Sequence, residues 1–236
     1  MTDSVTDADT LYLASTSPRR RQLLAEAGLA FELFAVSVDE EALSEAYQGP
    51  LNRLGEYLAR EKALATYAAL QAAGKPGRAL AADTTVLLGE VHLAKPADFE
   101  EGRTMLRMLR GREHIVATGV ALAGPEPGRI ASATAITRVL MRDYTNDEIE
   151  AYVLTGDSLD KAGGYTILST TFRPVERIYG CYPSVAGLPL CLVDMLLGYT
   201  REPMGETCPW SDQCQPPFPV PADIHPGETD QFEREA

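Results

Sequence analysis

Alternating strand and helix patterns with one long hairpin in the middle predict an α/β protein, a mixed twisted sheet flanked by helices. Three observations carry that reading. The run from Leu11 to Ala14 suits a buried strand and leads through a hydroxyl-rich loop, Ser15–Thr16–Ser17, into a helix begun by Pro18. IVATGVALA and RIASATAITRVLM flank GPEPG, which is hairpin chemistry and not a crossover. The 236 residues are 45% hydrophobic and 23% charged, an ordinary globular balance with ample core.

The elements follow in chain order. In the first helix Ser17 is the expected N-cap, Leu23, Leu24 and Ala27 its apolar face, and Gly28 its stop. Phe31 to Val38 reads as a second strand that ends at Asp39, Glu40 and Glu41. Residues 51–73 read as a long helix closed by Gly74 and Pro76, with Leu51, Leu54, Leu58, Ala65 and Ala69 as its stripe and Lys62 at the border. A bordering lysine either snorkels or points into a cleft. Residues 79–88 form a strand pattern interrupted by Asp83, and VHLAKP returns as a short strand ending at Lys95. A helix over 98–110, capped by Asp98 and stopped by Gly111, precedes the hairpin.

After the hairpin, Thr145 and Glu148 make a capping box for a helix running toward Gly156. DKAGGYTI (160–167) reads as a glycine-bearing loop entering a strand, Val175–Tyr179 as a further strand, and 187–198 as the last helix. From Tyr199 the character changes: seven of the sixteen prolines fall in the last 38 residues, without periodicity. We therefore divide the chain into a domain over 10–198 and an extended or disordered tail over 199–236.

Charge narrows the function. Against 34 acids stand 21 bases, a net −13, and no basic surface is interleaved with aromatics, so nucleic acid is not an expected partner. No apolar run approaches the about 18 residues of a membrane helix, and the acidic N-terminus does not read as a targeting peptide, so the cytoplasm is the expected location. Cys181, Cys191, Cys208 and Cys214 lack metal-ligand spacing, although Cys208 and Cys214 could bridge locally. His92, His114 and His225 are scattered and suggest neither a triad nor a zinc site.

Arg19, Arg20 and Arg21 stand where a helix start disfavours cations. An anion reverses the sign, because free N–H groups, hydroxyls and guanidinium forks converge on phosphate oxygens. The stretch is either a solvated basic helix start or a polyphosphate site, and the preceding strand and Ser/Thr loop favour the second. It is not a P-loop, for no GxxxxGK[ST] occurs. Asp83 and Glu40 are read as strand-end carboxylates, able to bind a divalent ion or accept a proton from water. Each alone could equally cap a turn, and Lys62 and Lys95 alone are weak signals. Together the set suits attack of water on a phosphoryl group, so residues alone imply a phosphate-ester or anhydride hydrolase.

LASTSPRRRQLL, VDE (38–40), LAREKA (58–63), ADTTV with GE and KP (82–96), LRGREHIVATGVAL, YVLTGDSLDKAGGYTI and VAGLPL occur in order from residue 11 to about 197. This series resembles the Maf-type nucleoside triphosphate pyrophosphatases. The resemblance implies a two-lobed α/β fold around a central cleft, similar to the inosine triphosphatases, often paired as a homodimer. It implies hydrolysis of modified or non-standard nucleoside triphosphates to monophosphate and pyrophosphate with a divalent cation, Mg²⁺ or else Mn²⁺ or Co²⁺. By motif, Asp83 matches the catalytic base and Ser15, Ser17, Arg19 and Arg20 the triphosphate loop. Glu40, Lys62 and Lys95 match further cleft residues, Glu40 and Asp83 being the metal contacts.

Arg19 and Thr84 resemble the dTTP- and UTP-preferring branch, whereas the 7-methyl-GTP branch carries a tryptophan after the proline and SDQ in the later block. Leu168 stands where the dTTP/UTP branch has a glutamine. A glutamine amide can pair with a base edge and leucine cannot, so base preference is open at this position. The family's association with septum formation leaves a non-catalytic, nucleotide-binding regulator of cell division as the alternative.

Overall fold

The computed structural model describes residues 10–126 and 128–198, together with the backbone of residues 225–226. The strands are β1 (Leu11–Leu13), β2 (Glu32–Leu33), β3 (Arg78–Leu88), β4 (Val91–His92), β5 (Glu113–Ala123), β6 (Ile130–Met141), β7 (Val175–Tyr179) and β8 (His225–Pro226). The helices are α1 (Pro18–Glu26), α2 (Glu40–Ala46), α3 (Leu54–Ala72), α4 (Phe99–Leu109), α5 (Asn146–Val153), α6 (Tyr182–Val185) and α7 (Leu190–Leu196). One sheet runs in the order β2-β1-β3-β5-β6-β7, with β4 on β3 and β8 on β6. β1 is parallel to both β2 and β3, and the remaining pairs are antiparallel, so the expected mixed sheet is present.

Strand alternation sorts the core. Leu11, Leu13, Leu80 and Ala82 face α1 and α7, where they meet Leu23, Leu24, Leu190 and Val193. Tyr12, Ala14, Ala79 and Ala81 face the other way, onto Ala59, Ala63, Tyr67 and Leu70 of α3. A third cluster gathers Val86, Val116, Val139 and Met141 beneath α4 and α5, with Leu106, Leu109, Ile149 and Tyr152. Between this cluster and the α1 side lies a belt of hydroxyls. Thr84 and Thr118 meet at 3.0 Å, Thr118 donates to the Ser184 carbonyl at 2.8 Å, and Thr137 meets the Ser184 hydroxyl at 2.8 Å. Ile167 touches both apolar clusters across the belt.

Several expectations hold to within a residue or two. Asp98 caps α4 by accepting from the Glu101 N–H, and Thr145 with Glu148 forms the reciprocal box at α5. The hairpin and β7 also stand as read.

Others need correction. The strand expected over 31–38 shrinks to two exposed residues, because only Tyr12 and Leu13 of β1 pair with it. Glu40 does not end a strand; it opens α2, whose N-cap Asp39 accepts from the Ala42 N–H. Ser17 occupies the N-cap position of α1, but its side chain makes no capping bond there. Residues 51–53 are a 3-10 turn that precedes α3. The buried stripe of α3 runs through Leu54, Leu58, Ala59, Lys62, Ala63, Thr66 and Leu70, so Lys62 lies within it and Ala65 and Ala69 at its margin. Gly163–Tyr165 does not lead into a strand; residues 162–164 are a 3-10 turn with Gly163 in the left-handed region. The helix expected over 187–198 begins at Leu190, with Pro189 as its N-cap. The tail and Cys208 and Cys214 lie outside the described residues, apart from the backbone of His225 and Pro226.

Candidate active site

Two chain segments leave the carboxyl ends of the parallel strands β1 and β2 and meet an interior residue of β3 in one crevice. The strand order places β1 between β2 and β3, so the connection after β1 goes one way and the connection after β2 the other. Crevices at such switch points are where open α/β sheets hold ligands. The loop Ser15–Ser17 follows β1, and Glu40 follows β2. Asp83 completes the group from within β3. Because Ala14 donates to the Leu80 carbonyl and β1 stops there, β3 loses its neighbour on that side three residues before Asp83. The sequence reading of Asp83 as a strand-end residue is thus corrected: it is strand-interior, opposite Gly119 of β5, and exposed to the crevice by the shortness of β1.

Asp83, Lys62 and Glu40 form one charged unit. The Lys62 Nζ donates to Asp83 Oδ1 at 2.6 Å and pairs with Glu40 Oε1 at 3.0 Å. Lys62 is only 8% exposed, and a buried ammonium needs such partners. Burial alone would raise the Glu40 carboxyl, but Lys62, Lys95 and Arg20 together hold it below the ordinary glutamate value. Burial lowers His92, and Asp83 opposes that shift, which puts the imidazole within electrostatic reach of the carboxylate.

The arginines divide their work. Arg20 turns inward: its Nε donates to the Gly187 carbonyl at 2.8 Å and its Nη1 to Ser15 Oγ at 3.3 Å. Ser15 Oγ also accepts from the Ser17 N–H at 3.2 Å, which folds the loop around one hydroxyl. Burial draws Arg20 below the usual arginine value against the pull of Asp83, and Arg19 acts in the same direction as burial. At the opposite wall burial alone would raise the Asp160 carboxyl, but Lys161 and the charge of Arg19 hold it below its ordinary value. Lys95 is exposed at the rim, with its charge felt at Glu40. Thr84 points to the Arg20 side of the sheet: a Cβ built on Gly187 would lie 3.7 Å from both Thr84 Oγ1 and Arg20 Nε. Leu168 is 37% exposed, and its N–H is bonded to Thr166 Oγ1.

The crevice therefore joins Ser15, Ser17, Arg20, Glu40, Lys62 and Asp83, with Arg19, Lys95 and Thr84 at its edges. Sequence reasoning missed Gly187, 167 residues from Arg20, whose carbonyl fixes the guanidinium and whose φ of +109° suits glycine. Its signal was the glycine of VAGLPL. It also missed the opposite wall, where Lys161, 7% exposed, is held by Asp157 and Asp160. Tyr165 beyond it meets buried His114 at 2.7 Å.

Asp83 and Glu40 present hard oxygen donors converging on one cationic point, a donor set that suits Mg²⁺ or Mn²⁺. No cluster of three His, Cys, Asp or Glu side chains gathers among the described residues. An ion held there would complete its shell with water and phosphate oxygens, as Mg²⁺ commonly does.

The family model described as Maf-like protein matches residues 10–199. A dTTP/UTP pyrophosphatase of Thermomicrobium roseum is 45% identical over 189 residues, 80% of this chain and 83% of that protein. Proteins of the same description from Aliivibrio fischeri and Bdellovibrio bacteriovorus are each 40% identical, over 79% of this chain and 96% of theirs.

Proposed function

Because the chain belongs to the Maf family, we propose that its crevice is the active site of a nucleoside triphosphate pyrophosphatase acting on dTTP and UTP. The single observation that carries the assignment of residues is the convergence of Asp83, Lys62 and Glu40 beside the Ser15–Arg20 loop. Cations and hydroxyls on one side receive a polyphosphate, and carboxylates on the other prepare water.

In this reading, Ser15, Ser17, Arg19 and Arg20 hold the triphosphate, with Lys95 reaching it from the rim. Asp83 accepts a proton from water as the water oxygen bonds to the α-phosphorus. The bond from that phosphorus to the bridging oxygen of the β-phosphate breaks. Pyrophosphate leaves with the bond's electron pair, and the nucleoside monophosphate remains. Lys62 neutralises charge that develops on the phosphoryl oxygens. A divalent cation, Mg²⁺ first and Mn²⁺ or Co²⁺ as alternatives, would be held by Glu40 and Asp83, supplying Lewis-acid charge neutralisation there. Arg19, Thr84 and Leu168 are the positions we assign to base preference. The family resemblance extends the proposal to a cytoplasmic homodimer; no helix among the described residues is long and apolar enough to cross a membrane.

The regulator of cell division, left by the sequence as the alternative, has no counterpart in the names of these relatives. Pyrophosphate release with Mg²⁺ across dTTP, UTP, CTP, 5-methyl-UTP, pseudo-UTP, 7-methyl-GTP, ITP and the common purine triphosphates tests the proposal. Turnover of dTTP and UTP with pyrophosphate as product is expected. Orthophosphate as product, or silence on every triphosphate, overturns it.

A further inference from the structure

Lys62 stands where a metal ion would. Its ammonium nitrogen is 2.6 Å from Asp83 Oδ1 and 3.0 Å from Glu40 Oε1, so one cation is shared by the two carboxylates assigned to the metal. Lys62 belongs to the buried face of α3, with Leu58, Ala59, Ala63 and Thr66, and its side chain is 10% exposed. Asp83 is fixed in the middle of a strand. Glu40 is not fixed in that way: α2 buries none of its residues, and Glu40 keeps 45% of its side chain exposed. An ammonium and a divalent ion drawn to the same two oxygens repel each other, so they compete for this gap.

We propose that Lys62 is a built-in placeholder cation, which neutralises the Glu40–Asp83 pair in the free protein and excludes the divalent ion until a nucleotide arrives. The inference rests on the reading of Glu40 and Asp83 as the metal contacts. An incoming triphosphate offers the ammonium an alternative anionic partner, so Lys62 moves from carboxylate to phosphate as the ion takes its place. The loosely anchored α2 lets Glu40 follow the exchange. Metal and substrate then bind with positive coupling, and the free enzyme does not hold an ion beside an idle base. The same ammonium serves twice, first against the carboxylates and then against the phosphates.

Manganese binding, read by the electron paramagnetic resonance of free Mn²⁺, tests this without turnover. Wild type, Lys62→Met, Lys62→Gln, Lys62→Arg and the double variant Lys62→Met/Asp83→Asn are compared without nucleotide, then with an α,β-imido analogue of dUTP. Circular dichroism confirms that each variant is folded, and the two neutral replacements guard against failure of either one. In nucleotide-free protein, Met and Gln at position 62 should tighten Mn²⁺ about tenfold or more over wild type, the scale on which groups around a metal change its affinity. Lys62→Arg should stay near wild type, and the double variant should lose the gain. With the analogue bound, the gap between wild type and the neutral variants should narrow.

Equal Mn²⁺ affinity of wild type and neutral variants without nucleotide, together with tight binding in the analogue complex, overturns the placeholder and leaves the metal reading standing. A gain that survives Asp83→Asn also overturns it, since the ion then sits elsewhere. If no form binds Mn²⁺ even with the analogue, the carboxylates are not metal contacts and both readings fall.

Discussion

Gly119 of β5 lies directly against the backbone of Glu56 in α3: a Cβ built on the glycine would sit 2.2 Å from both the Cα and the nitrogen of Glu56. Gly55 makes the matching approach from the helix, where a Cβ would be 2.9 Å from the Asp83 carbonyl. The two glycines let the start of α3 rest on the sheet, and that depth brings Lys62, two turns later, to Asp83. The Glu56 carboxylate fastens the contact by accepting from Ser132 and Thr134, each at 2.6 Å. Gly119→Ala should therefore cost about 3 kcal/mol of stability, the upper range for an overpacked interior. Urea unfolding at constant pH measures this, and a loss near zero would show that α3 can lift without consequence.

Asp83→Asn should lower kcat about 10³-fold, the middle of the range for removing a general base. Binding of the imido analogue without divalent ion should persist, because the Ser15–Arg20 loop is untouched. Retained turnover would remove Asp83 from the base role.

Arg20 bonds through Nε to Gly187 and through Nη1 to Ser15, a fork that a lysine ammonium cannot reproduce. Arg20→Lys should raise KM for the triphosphate about tenfold, as expected for a lost charge-assisted bond. Steady-state kinetics on dTTP reads the change, and an unaltered KM would leave Arg20 a structural clasp only.

His114 is buried beneath the opposite wall, and burial pulls its imidazole down to about 4 from an ordinary 6.5. The folded value is depressed, so between pH 6.5 and 4 the unfolded chain binds more protons than the folded one. Stability is then full above pH 6.5 and falls as the pH drops through that window, by at most about 1.4 kcal/mol per pH unit. Tyr165, its partner at 2.7 Å, is pushed upward by burial and stays neutral throughout. His114→Phe should flatten the difference in unfolding free energy between pH 7 and pH 5. An unchanged slope would assign the pH dependence to other groups.

Local chemistry was readable wherever a residue's role is decided by its neighbours in sequence. The box at Thr145 and Glu148, the Asp98 cap and the GPEPG hairpin all belong to this kind. Phase and termination were not readable, because they depend on distant partners. Ala65 and Ala69 suggested one face for α3, but Lys62 can occupy the buried face once Asp83 and Glu40 compensate its charge. Asp83 was legible inside the 79–88 strand pattern, but its opening to the crevice was not, since that is set by where β1 ends, some seventy residues earlier. The arginine triplet announced an anion site, yet only the fold shows that Arg20 turns inward to Gly187 while the charge of Arg19 is felt at Asp160.

The belt through Thr84, Thr118, Ser184 and Thr137 means that hydrocarbon does not run unbroken along this face of the sheet. A buried row of hydroxyls that satisfy one another is rigid, and this one ties Thr84 to Ser184, on the same segment as the Gly187 carbonyl that holds Arg20. The wall behind the guanidinium is thereby fixed by directional bonds and not by hydrocarbon packing alone.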